Sequence, residues 1–323
     1  MALLEVKDLQ VSFDTASGRI FALNGVSFSL ERGEVLALLG ESGSGKSVTA
    51  SAIMDLVPNP PGAIDRGSIR FDGTELLKLS RNERRDLCGS RIALIFQDAL
   101  AALNPVYPVG WQIAEMYRIH GRNPEGGVEK AVIDLLTAIG IPDPERRARQ
   151  YPHEFSGGMR QRIMIAMAVA LEPDVIIADE PTTALDVTIQ AQVIDLLATI
   201  RKRSDAGMIF ITHDLGVVAE LADRVAVMYA GRIVETANVF ELFEDARHPY
   251  SVGLLASQPR LDTDDDELVP IPGSAPNPVA LPSGCAFRTR CPRAAGLCAE
   301  VIPSLETVGP GRQAACHFPV SPA

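Results

Sequence analysis

Eight residues near the N-terminus, GESGSGKS from Gly40 to Ser47, constrain the fold more than any other part of the sequence. They follow the apolar run VLALL, which predicts a buried strand, and precede VTASAIMDLV, which has helical spacing and stops at Pro58. A strand, a glycine-rich loop and a helix in that order predict a phosphate-binding P-loop. The residues that we expect to contact a nucleotide there are Gly40, Glu41, Ser42, Gly43, Ser44, Gly45, Lys46, Ser47 and Val48.

A loop of this kind binds phosphate mainly through its backbone. Glycines let successive amides converge on phosphate oxygens at the positive end of the following helix. Lys46 would reach the β and γ phosphates of a nucleoside triphosphate, and Ser47 would bind Mg²⁺. The alternative is a glycine- and serine-rich turn with a chance lysine. Eight residues in register between the right neighbours argue against that alternative.

Two adjacent carboxylates end the apolar run VIIADE, from Val175 to Glu180. Asp179 would hold Mg²⁺ through its water shell, and Glu180 would polarise the attacking water as a general base. Alone, such a pair is usually just a solvated strand end. Because it follows a P-loop with a whole α/β core between, it predicts a catalytic site for triphosphate hydrolysis.

The apolar pattern changes period along the chain. Residues 1–39 are predicted to be mainly strands, and residues from about Trp111 to Leu171 follow helical spacing, as in Val128, Val132 and Leu136. Short apolar strands then return in DVIIAD, MIFITH and RVAVMYA, separated by a helix from Ile189 to Ile200. Alternating strands and helices predict an α/β fold with a largely parallel sheet.

Composition limits the partners of the chain. The 323 residues carry a net charge of -11 with a pI near 5.0, which disfavours nucleic acid as a partner. Glu5 and Lys7 interrupt the N-terminus where a signal peptide needs an apolar core. The longest apolar run, Ile163 to Leu171, is far shorter than the ~20 residues that span a bilayer. We therefore expect a protein of the cytoplasm that reaches a membrane only through a partner.

Further motifs distinguish among P-loop proteins. Gln97 follows the strand RIALIF, SGGMRQR runs from Ser156 to Arg162, TTALD ends at Asp186, and His213 follows the strand MIFIT. In sequence and order, these motifs resemble those of the ATP-binding cassette (ABC) ATPases. The resemblance implies a RecA-like parallel sheet core, an N-terminal antiparallel β subdomain and a helical insertion. It assigns residues 1–245 to the nucleotide-binding domain, with the helical subdomain at about 105–170.

The same resemblance assigns roles to the remaining residues. The signature turn of Ser156, Gly157 and Gly158 would contact ATP held by a second cassette, so the chain needs an ATPase partner. Gln97 would contact Mg²⁺ and the attacking water, and His213 would hold the γ-phosphate. Asp186 would line the nucleotide site, and Phe13 would stack on adenine, although a core strand residue is an alternative for Phe13. The signature reads FSGGM rather than LSGGQ, which leaves the backbone contacts intact but not a side-chain contact at position 159.

Three longer segments narrow the family. QDALAALNPVYPVGWQIAE, YPHEFSGGMRQRIMIAMAVALEP and HPYSVGLLASQPRLD are similar to the ATPase subunits of dipeptide, oligopeptide and nickel importers. This implies an energy-coupling ATPase at the cytoplasmic face of the inner membrane, with two transmembrane permease subunits and, indirectly, an extracytoplasmic substrate-binding protein. A heterodimer of cassettes is favoured. Nickel or another small solute is the alternative cargo, and a non-transport cassette ATPase or a P-loop kinase is the alternative class.

We expect a C-terminal extension at residues 246–323, in which the acidic run DTDDDE precedes a proline-rich tail that forms a separate appendage and holds four of the five cysteines. Because we expect no signal peptide, four clustered thiols predict a bound metal rather than disulfide bonds. Their spacing lacks the C-x-x-C pairs usual for structural zinc. Related importer subunits imply a 4Fe-4S cluster, with Zn²⁺ and unliganded thiols as alternatives. His317 is a spare ligand, and Cys88 is expected to pack in the core. The candidate cluster ligands are Cys285, Cys291, Cys298 and Cys316.

Overall fold

Strands and helices follow the two apolar periods of the sequence. The computed structural model describes residues 2–183, 185–257 and 270–321. The acidic run DTDDDE, residues 262–267, lies outside the described residues, as does Ala184 within the TTALD motif.

The described residues form twelve strands, twelve α-helices and two short 3-10 helices. The strands are β1 Leu4–Thr15, β2 Gly18–Leu30, β3 Val35–Leu39, β4 Gly62–Phe71, β5 Thr74–Glu75, β6 Ile92–Ile95, β7 Val175–Asp179, β8 Gly207–Ile211, β9 Arg224–Tyr229, β10 Arg232–Asn238, β11 Glu306–Gly309 and β12 Arg312–Ala314. The α-helices are α1 Lys46–Ile53, α2 Arg81–Leu87, α3 Ala99–Ala102, α4 Val109–Ile119, α5 Val128–Ala138, α6 Pro144–Arg147, α7 Gly157–Val169, α8 Val187–Ser204, α9 Leu215–Leu221, α10 Val239–Asp245, α11 Pro249–Ala256 and α12 Leu297–Glu300. The 3-10 helices are Leu76–Lys78 and Pro152–Glu154.

The chain divides into two units. The first unit comprises Met1–Leu30, Glu34–Leu77 and Thr212–Ala323, and the second comprises Glu31–Gly33 and Lys78–Ile211. The predicted domain boundary between residues 245 and 246 stays a prediction.

The first unit holds an antiparallel sheet in the order β2-β1-β4-β5. β1 pairs with β2 over most of its length, and register shifts accompany the pairing between Val6 and Ser12. The buried residues of β1 are Leu4, Val6, Leu9, Val11 and Ser12. The strands predicted for residues 1–39 are confirmed by β1, β2 and β3, and β3 is fully buried, as its apolar run predicts.

A second set of strands in the first unit has the order β11-β12-β10-β9-β3. β3 and β9 pair in parallel, whereas β9 and β10 are antiparallel. β12 pairs with β10 through Ala314 opposite Glu235 and Gln313 opposite Thr236. The cysteine-rich tail thus contributes β12 to this set of strands through its backbone hydrogen bonds.

The second unit holds the parallel strands β8-β7-β6 and the helices α2 to α8. Helices α4, α5 and α7 pack around one apolar cluster that includes Ile113, Leu136 and Ile163, each fully buried. The helical spacing predicted from Val128 onward is confirmed by α5, whose Val132 and Leu136 are buried. No helix among the described residues is both long enough and apolar enough to cross a membrane.

Together these elements confirm the predicted α/β fold with an antiparallel N-terminal sheet and parallel core strands. One boundary differs. α1 ends at Ile53 rather than next to Pro58, because Asp55 takes a left-handed backbone conformation with φ of 60°.

Candidate functional site

The loop from Gly40 to Ser47 joins β3 to α1 within the first unit. Gly40 has φ of 151° and Gly45 has φ of 107°, values that favour glycine. A Cβ on Gly40 would lie 2.3 Å from the Met228 carbonyl oxygen, and one on Gly45 would lie 2.7 Å from the Ala22 carbonyl oxygen. Glycine at these two positions therefore allows the loop to pack directly against neighbouring backbone.

Lys46 and Ser44 are buried at the base of the loop. The Lys46 ammonium donates to the carbonyl oxygens of Gly40 at 2.7 Å and Glu41 at 3.1 Å. The Ser44 hydroxyl is buried and has no hydrogen-bond partner within the part of the chain that the structure describes. α1 begins at Lys46 without a side-chain cap on its first amides. A phosphate oxygen fits both needs, because it accepts hydrogen bonds from a hydroxyl and from helix N-terminal amides.

Glu41, the second residue of the loop, is anchored by two residues that sequence analysis did not connect to it. Its backbone N–H donates to the Tyr250 hydroxyl oxygen at 2.9 Å. The Arg290 guanidinium donates to both of its carboxylate oxygens, at 2.7 and 2.9 Å. These partners lie 209 and 249 residues away along the chain. The motif HPY marked Tyr250 as notable, but nothing local in the sequence indicated Arg290.

Aromatic rings surround these anchors. Phe287 contacts Tyr229 and Tyr250 edge to face, with ring centroids 5.2 and 5.4 Å apart. Tyr229 and Tyr250 are themselves 4.6 Å apart. Burial raises the pKa of both tyrosines, so both keep their hydroxyl protons at neutral pH. The hydrogen bond to Glu41 in turn raises the pKa of Arg290, which stays charged.

The second unit contains the predicted general base at the end of β7. Glu180 accepts a hydrogen bond from Gln97 Nε2 at 2.9 Å and from Thr183 Oγ1 at 2.8 Å. Its backbone N–H donates to the Ile211 carbonyl oxygen, and its φ is 46°. A glutamate held in the left-handed region is strained, and such strain is concentrated at functional sites. The structure thus brings Gln97 and Glu180 together.

The other predicted residues stand where their motifs place them. Asp179 is the last residue of β7, and His213 is exposed two residues after β8. Asp186 caps α8 by accepting a hydrogen bond from the Ile189 N–H at 3.0 Å. Phe13 is half-buried in β1 opposite Gly62. Their roles toward a nucleotide stay predictions.

The signature turn begins α7. Ser156 caps this helix with its own hydroxyl, which accepts from the Met159 N–H at 3.4 Å. Ser156 and Gly157 are exposed, whereas Gly158 lies where a Cβ would meet Ile189 at 2.7 Å. The two departures from LSGGQ are explained by packing, since Phe155 belongs to the apolar cluster of the second unit and Met159 packs against it.

The four tail cysteines line one small pocket together with Phe287 and His317. All four are free thiols, and burial raises the pKa of Cys316 to about 11. Two of the sulfur atoms accept backbone hydrogen bonds at 3.4 Å, Cys291 from Arg293 and Cys316 from Phe318. In the described residues, no group of three or more His, Cys, Asp or Glu side chains is arranged to hold a single metal ion. The predicted metal centre therefore stays a prediction. Cys88, at the end of α2, is half-buried.

Comparison with known families agrees with the motifs. Residues 23–183 match the ABC transporter family, and residues 234–298 match the oligopeptide/dipeptide transporter C-terminal region. The second match covers α11, Cys285, Cys291 and Cys298, and thus the part of the chain that supplies Tyr250 and Arg290.

Individual relatives match nearly the whole chain. The oligopeptide transport ATP-binding protein OppD of Bacillus subtilis (strain 168) is 55% identical over 289 residues, which cover 89% of this chain and 81% of that protein. The dipeptide transport ATP-binding protein DppD of Escherichia coli (strain K12) is 45% identical over 323 residues, which cover 100% of this chain and 98% of that protein.

Solved structures show the same fold. The dimeric structure of a post-hydrolysis state of the ATP-binding cassette MJ0796, bound to ADP and Pi, has a TM-score of 0.65 at 24% identity, covering 73% of this chain and 98% of that one. CbiO1 from Clostridium perfringens, part of the ABC transporter complex cbiONQ, has a TM-score of 0.63 at 29% identity, covering 76% of this chain and 91% of that one. The family resemblance stated from the motifs is confirmed: the chain belongs to the ABC transporter family of ATPases, in its oligopeptide and dipeptide transport branch.

Proposed function

We propose that the chain is the ATP-hydrolysing, energy-coupling subunit of an ABC importer for dipeptides or oligopeptides. Its relatives in Bacillus subtilis and Escherichia coli are named as oligopeptide and dipeptide transport proteins. The observation that carries the hydrolytic role is the hydrogen bond between Gln97, which follows β6, and Glu180, which follows β7. A carboxylate fixed by two side-chain donors has one preferred orientation for the water that it activates.

ATP is the substrate of the P-loop. The amides at the start of α1 and the orphaned Ser44 hydroxyl would bind its phosphates, and Lys46 would turn from the loop carbonyls to the β and γ phosphates. Gly45 and the exposed Ser42 and Gly43 would complete the cradle. Phe13 would stack on the adenine ring. All of these residues lie in the first unit.

Mg²⁺ would be held by Ser47, Gln97 and Asp179, hydroxyl, amide and carboxylate oxygens of the kind that this ion prefers. When bound, the ion neutralises charge that develops on the phosphate oxygens. Glu180 would take a proton from the attacking water, and His213 would hold the γ-phosphate. Gln97 thus has two tasks, because it also donates to the Glu180 carboxylate.

The exposed signature turn would serve a second cassette. Ser156, Gly157 and Gly158 would contact the γ-phosphate of the ATP bound by that partner, and its turn would contact the ATP of this chain. A dimer of two different cassettes is our preferred arrangement. ATP binding would close the pair, and hydrolysis would reopen it.

The pair of cassettes would drive two transmembrane permease subunits at the cytoplasmic face of the inner membrane. An extracytoplasmic binding protein would deliver the peptide, which would never touch this chain. The same ATPase chemistry would serve a nickel importer, so co-purification with the binding protein and identification of its ligand decide the cargo.

The four tail thiols are, in our proposal, the ligands of a 4Fe-4S cluster. They line one pocket and form no disulfide, and two of their sulfur atoms accept backbone hydrogen bonds, as cluster ligands do. Zinc is the alternative; it would bind the four thiolates around one ion, whereas a cluster would bind them on four iron atoms. When bound, the cluster would cross-link the tail. We expect iron and acid-labile sulfide in the anaerobically purified chain and their loss in Cys298→Ser; zinc in their place would contradict the assignment.

Glu180→Gln in the purified transporter complex tests the hydrolytic role. The amide cannot take the proton, so we expect ATP to stay bound, the closed cassette pair to accumulate, and turnover to fall by about 10²- to 10⁴-fold. Asp195→Asn, on the exposed side of α8, is the control and should leave turnover within about twofold. Near-normal hydrolysis in Glu180→Gln would remove Glu180 from this role.

A further inference from the structure

A carboxylate inside a phosphate-binding loop requires an explanation. Glu41 is the second residue of the P-loop, and its charge opposes the negative charge of the triphosphate that the loop binds. The hydrogen bond from the Glu41 N–H to the Tyr250 hydroxyl fixes the backbone at this position, so Glu41 stays in the loop. The loop therefore needs a fixed positive charge to compensate for Glu41.

Arg290 supplies that charge from the cysteine-rich tail. Its two terminal nitrogens donate to the two carboxylate oxygens of Glu41, and Nε donates to the Pro272 carbonyl oxygen at 3.0 Å. The Arg290 side chain is only 5% exposed, whereas that of Glu41 is 31% exposed. A bidentate ion pair of this kind has a defined geometry, and salt screens it only weakly because Arg290 is buried.

The surroundings of Arg290 hold it in place. Its guanidinium lies 6.0 Å from the centre of the Tyr229 ring, and Tyr229 packs against both Tyr250 and Phe287. Phe287 packs against Tyr250, its carbonyl oxygen accepts from the Arg290 N–H at 2.9 Å, and its side chain also lines the cysteine pocket. The folding of the tail is thereby linked to the position and charge of the loop.

We propose that Arg290 is a positioning residue for ATP binding: it neutralises Glu41 and holds the P-loop in the form that accepts the triphosphate. The tail, matched as the oligopeptide/dipeptide transporter C-terminal region, thus supplies part of the nucleotide site. This inference rests on the proposed assignment of the P-loop as the ATP site.

Substitution of Arg290 in the assembled transporter tests the role. Arg290→Met keeps the length of the side chain and removes the charge, so Glu41 is left to repel ATP. We expect KM for ATP to rise by about tenfold while kcat stays within about twofold, since Glu180 is untouched. Arg290→Lys restores the charge without the two parallel hydrogen bonds. Its KM for ATP should lie between those of the unsubstituted complex and Arg290→Met.

A second substitution separates charge compensation from simple damage. In the background of Arg290→Met, Glu41→Gln removes the uncompensated carboxylate and should lower KM for ATP by at least about threefold relative to Arg290→Met alone. Arg312→Met is the matched control, because Arg312 is also buried and pairs with Asp245 at 3.0 Å in the same unit. It should lower the unfolding temperature without changing KM.

Two results would overturn the inference. One is an unchanged KM in Arg290→Met; the other is a double variant no better than Arg290→Met alone, which would make the pair purely structural. An unsubstituted complex that neither binds nor hydrolyses ATP would instead contradict the proposed function, so the two failures are distinguishable.

Discussion

The P-loop and the signature turn both precede helices, yet the two regions are built in opposite ways. In the P-loop, Ser44 and Lys46 are buried, and the first amides of α1 have no side-chain cap. In the signature turn, Ser156 and Gly157 are exposed, and the Ser156 hydroxyl caps its own helix. The first region has a buried hydroxyl without a hydrogen-bond partner among the described residues and a helix start without a side-chain cap, whereas the second has a side-chain-capped helix start on the surface.

This difference indicates different partners. Uncapped amides beside an orphaned buried hydroxyl fit a ligand that belongs to the chain itself. A self-capped, exposed turn is stable without a ligand and can be presented to a second molecule. The frame of the P-loop also comes from far along the sequence, through Tyr250 and Arg290, while the signature turn depends on its own helix and on the apolar cluster beneath Phe155.

The largest expected effect comes from removing the charge of the P-loop. Lys46→Met fills the same buried space without an ammonium group, so we expect ATP affinity and turnover to fall by at least about 10²-fold. Binding of a fluorescent ATP analogue and phosphate release measure the two quantities. Because Lys46 is buried, the unfolding temperature must be measured alongside. Unchanged affinity in a folded variant would show that the loop is not the ATP site.

A negative charge on the signature turn should separate stability from activity. Gly157 is exposed, and a Cβ there meets nothing within 4 Å, so Gly157→Asp fits the fold. A carboxylate at the start of α7 stabilises the helix by about 0.3–1 kcal/mol, but it repels the nucleotide of a partner. We expect an equal or higher unfolding temperature, unchanged ATP binding by the isolated chain, and turnover of the complex reduced by about 10- to 100-fold. Normal turnover would contradict the role of the turn.

Backbone strain sharpens the comparison within the P-loop. Gly45→Ala places a Cβ 2.7 Å from the Ala22 carbonyl oxygen at a φ of 107°. We expect unfolding free energy to fall by about 1–3 kcal/mol, measured by denaturant titration. Gly43→Ala is the matched control, since its φ is also positive but its Cβ meets nothing within 4 Å. Equal losses in the two variants would show that the close packing of the loop contributes nothing.

The last expected effect concerns stability alone and is a pH dependence beside Tyr250. Burial lowers the pKa of His248 to about 4, and its Nδ1 accepts from the Tyr250 N–H at 3.0 Å. Between pH 6.5 and 4 the unfolded chain therefore binds a proton that the folded chain does not, and stability falls as the pH falls, by up to about 1.4 kcal/mol per unit.

His248→Asn keeps a side-chain acceptor for Tyr250 and does not titrate, so its stability should depend less on pH across this window. Burial raises the pKa of the neighbouring Glu235, a carboxyl whose contribution has the opposite sign and is present in both proteins. The measurement is the change in thermal unfolding midpoint from pH 7 to pH 5 in His248→Asn and in the unsubstituted chain. The difference between the two changes is therefore the contribution of His248. Parallel pH profiles would contradict the assignment.

Local patterns explain which features the sequence could predict. The P-loop occupies eight consecutive residues, and Glu180 and Gln97 each follow an apolar strand, so their chemistry was visible in short segments. Parallel strand ends meet at one sheet edge, which is why Gln97 could be expected near Glu180.

Long-range features gave no such signal. The pairing of Arg290 with Glu41 joins residues 249 positions apart, and neither lies in a periodic pattern that names its partner. The pairing of β12 with β10 also escaped prediction, since a three-residue strand such as Arg312–Ala314 is too short for alternation to identify. These contacts depend on the folded tail, and proline-rich composition alone suggested a separate body.

We have proposed that this chain is half of a nucleotide clamp, with a P-loop for its own ATP and an exposed turn for the ATP of a partner. The most direct measurement is the turnover rate per chain of the purified protein, at a concentration where sedimentation shows a monomer, compared with the rate in the assembled transporter. We predict that the monomer binds one ATP but hydrolyses it at least about tenfold more slowly. Equal rates in the monomer and the assembled transporter would contradict the claim.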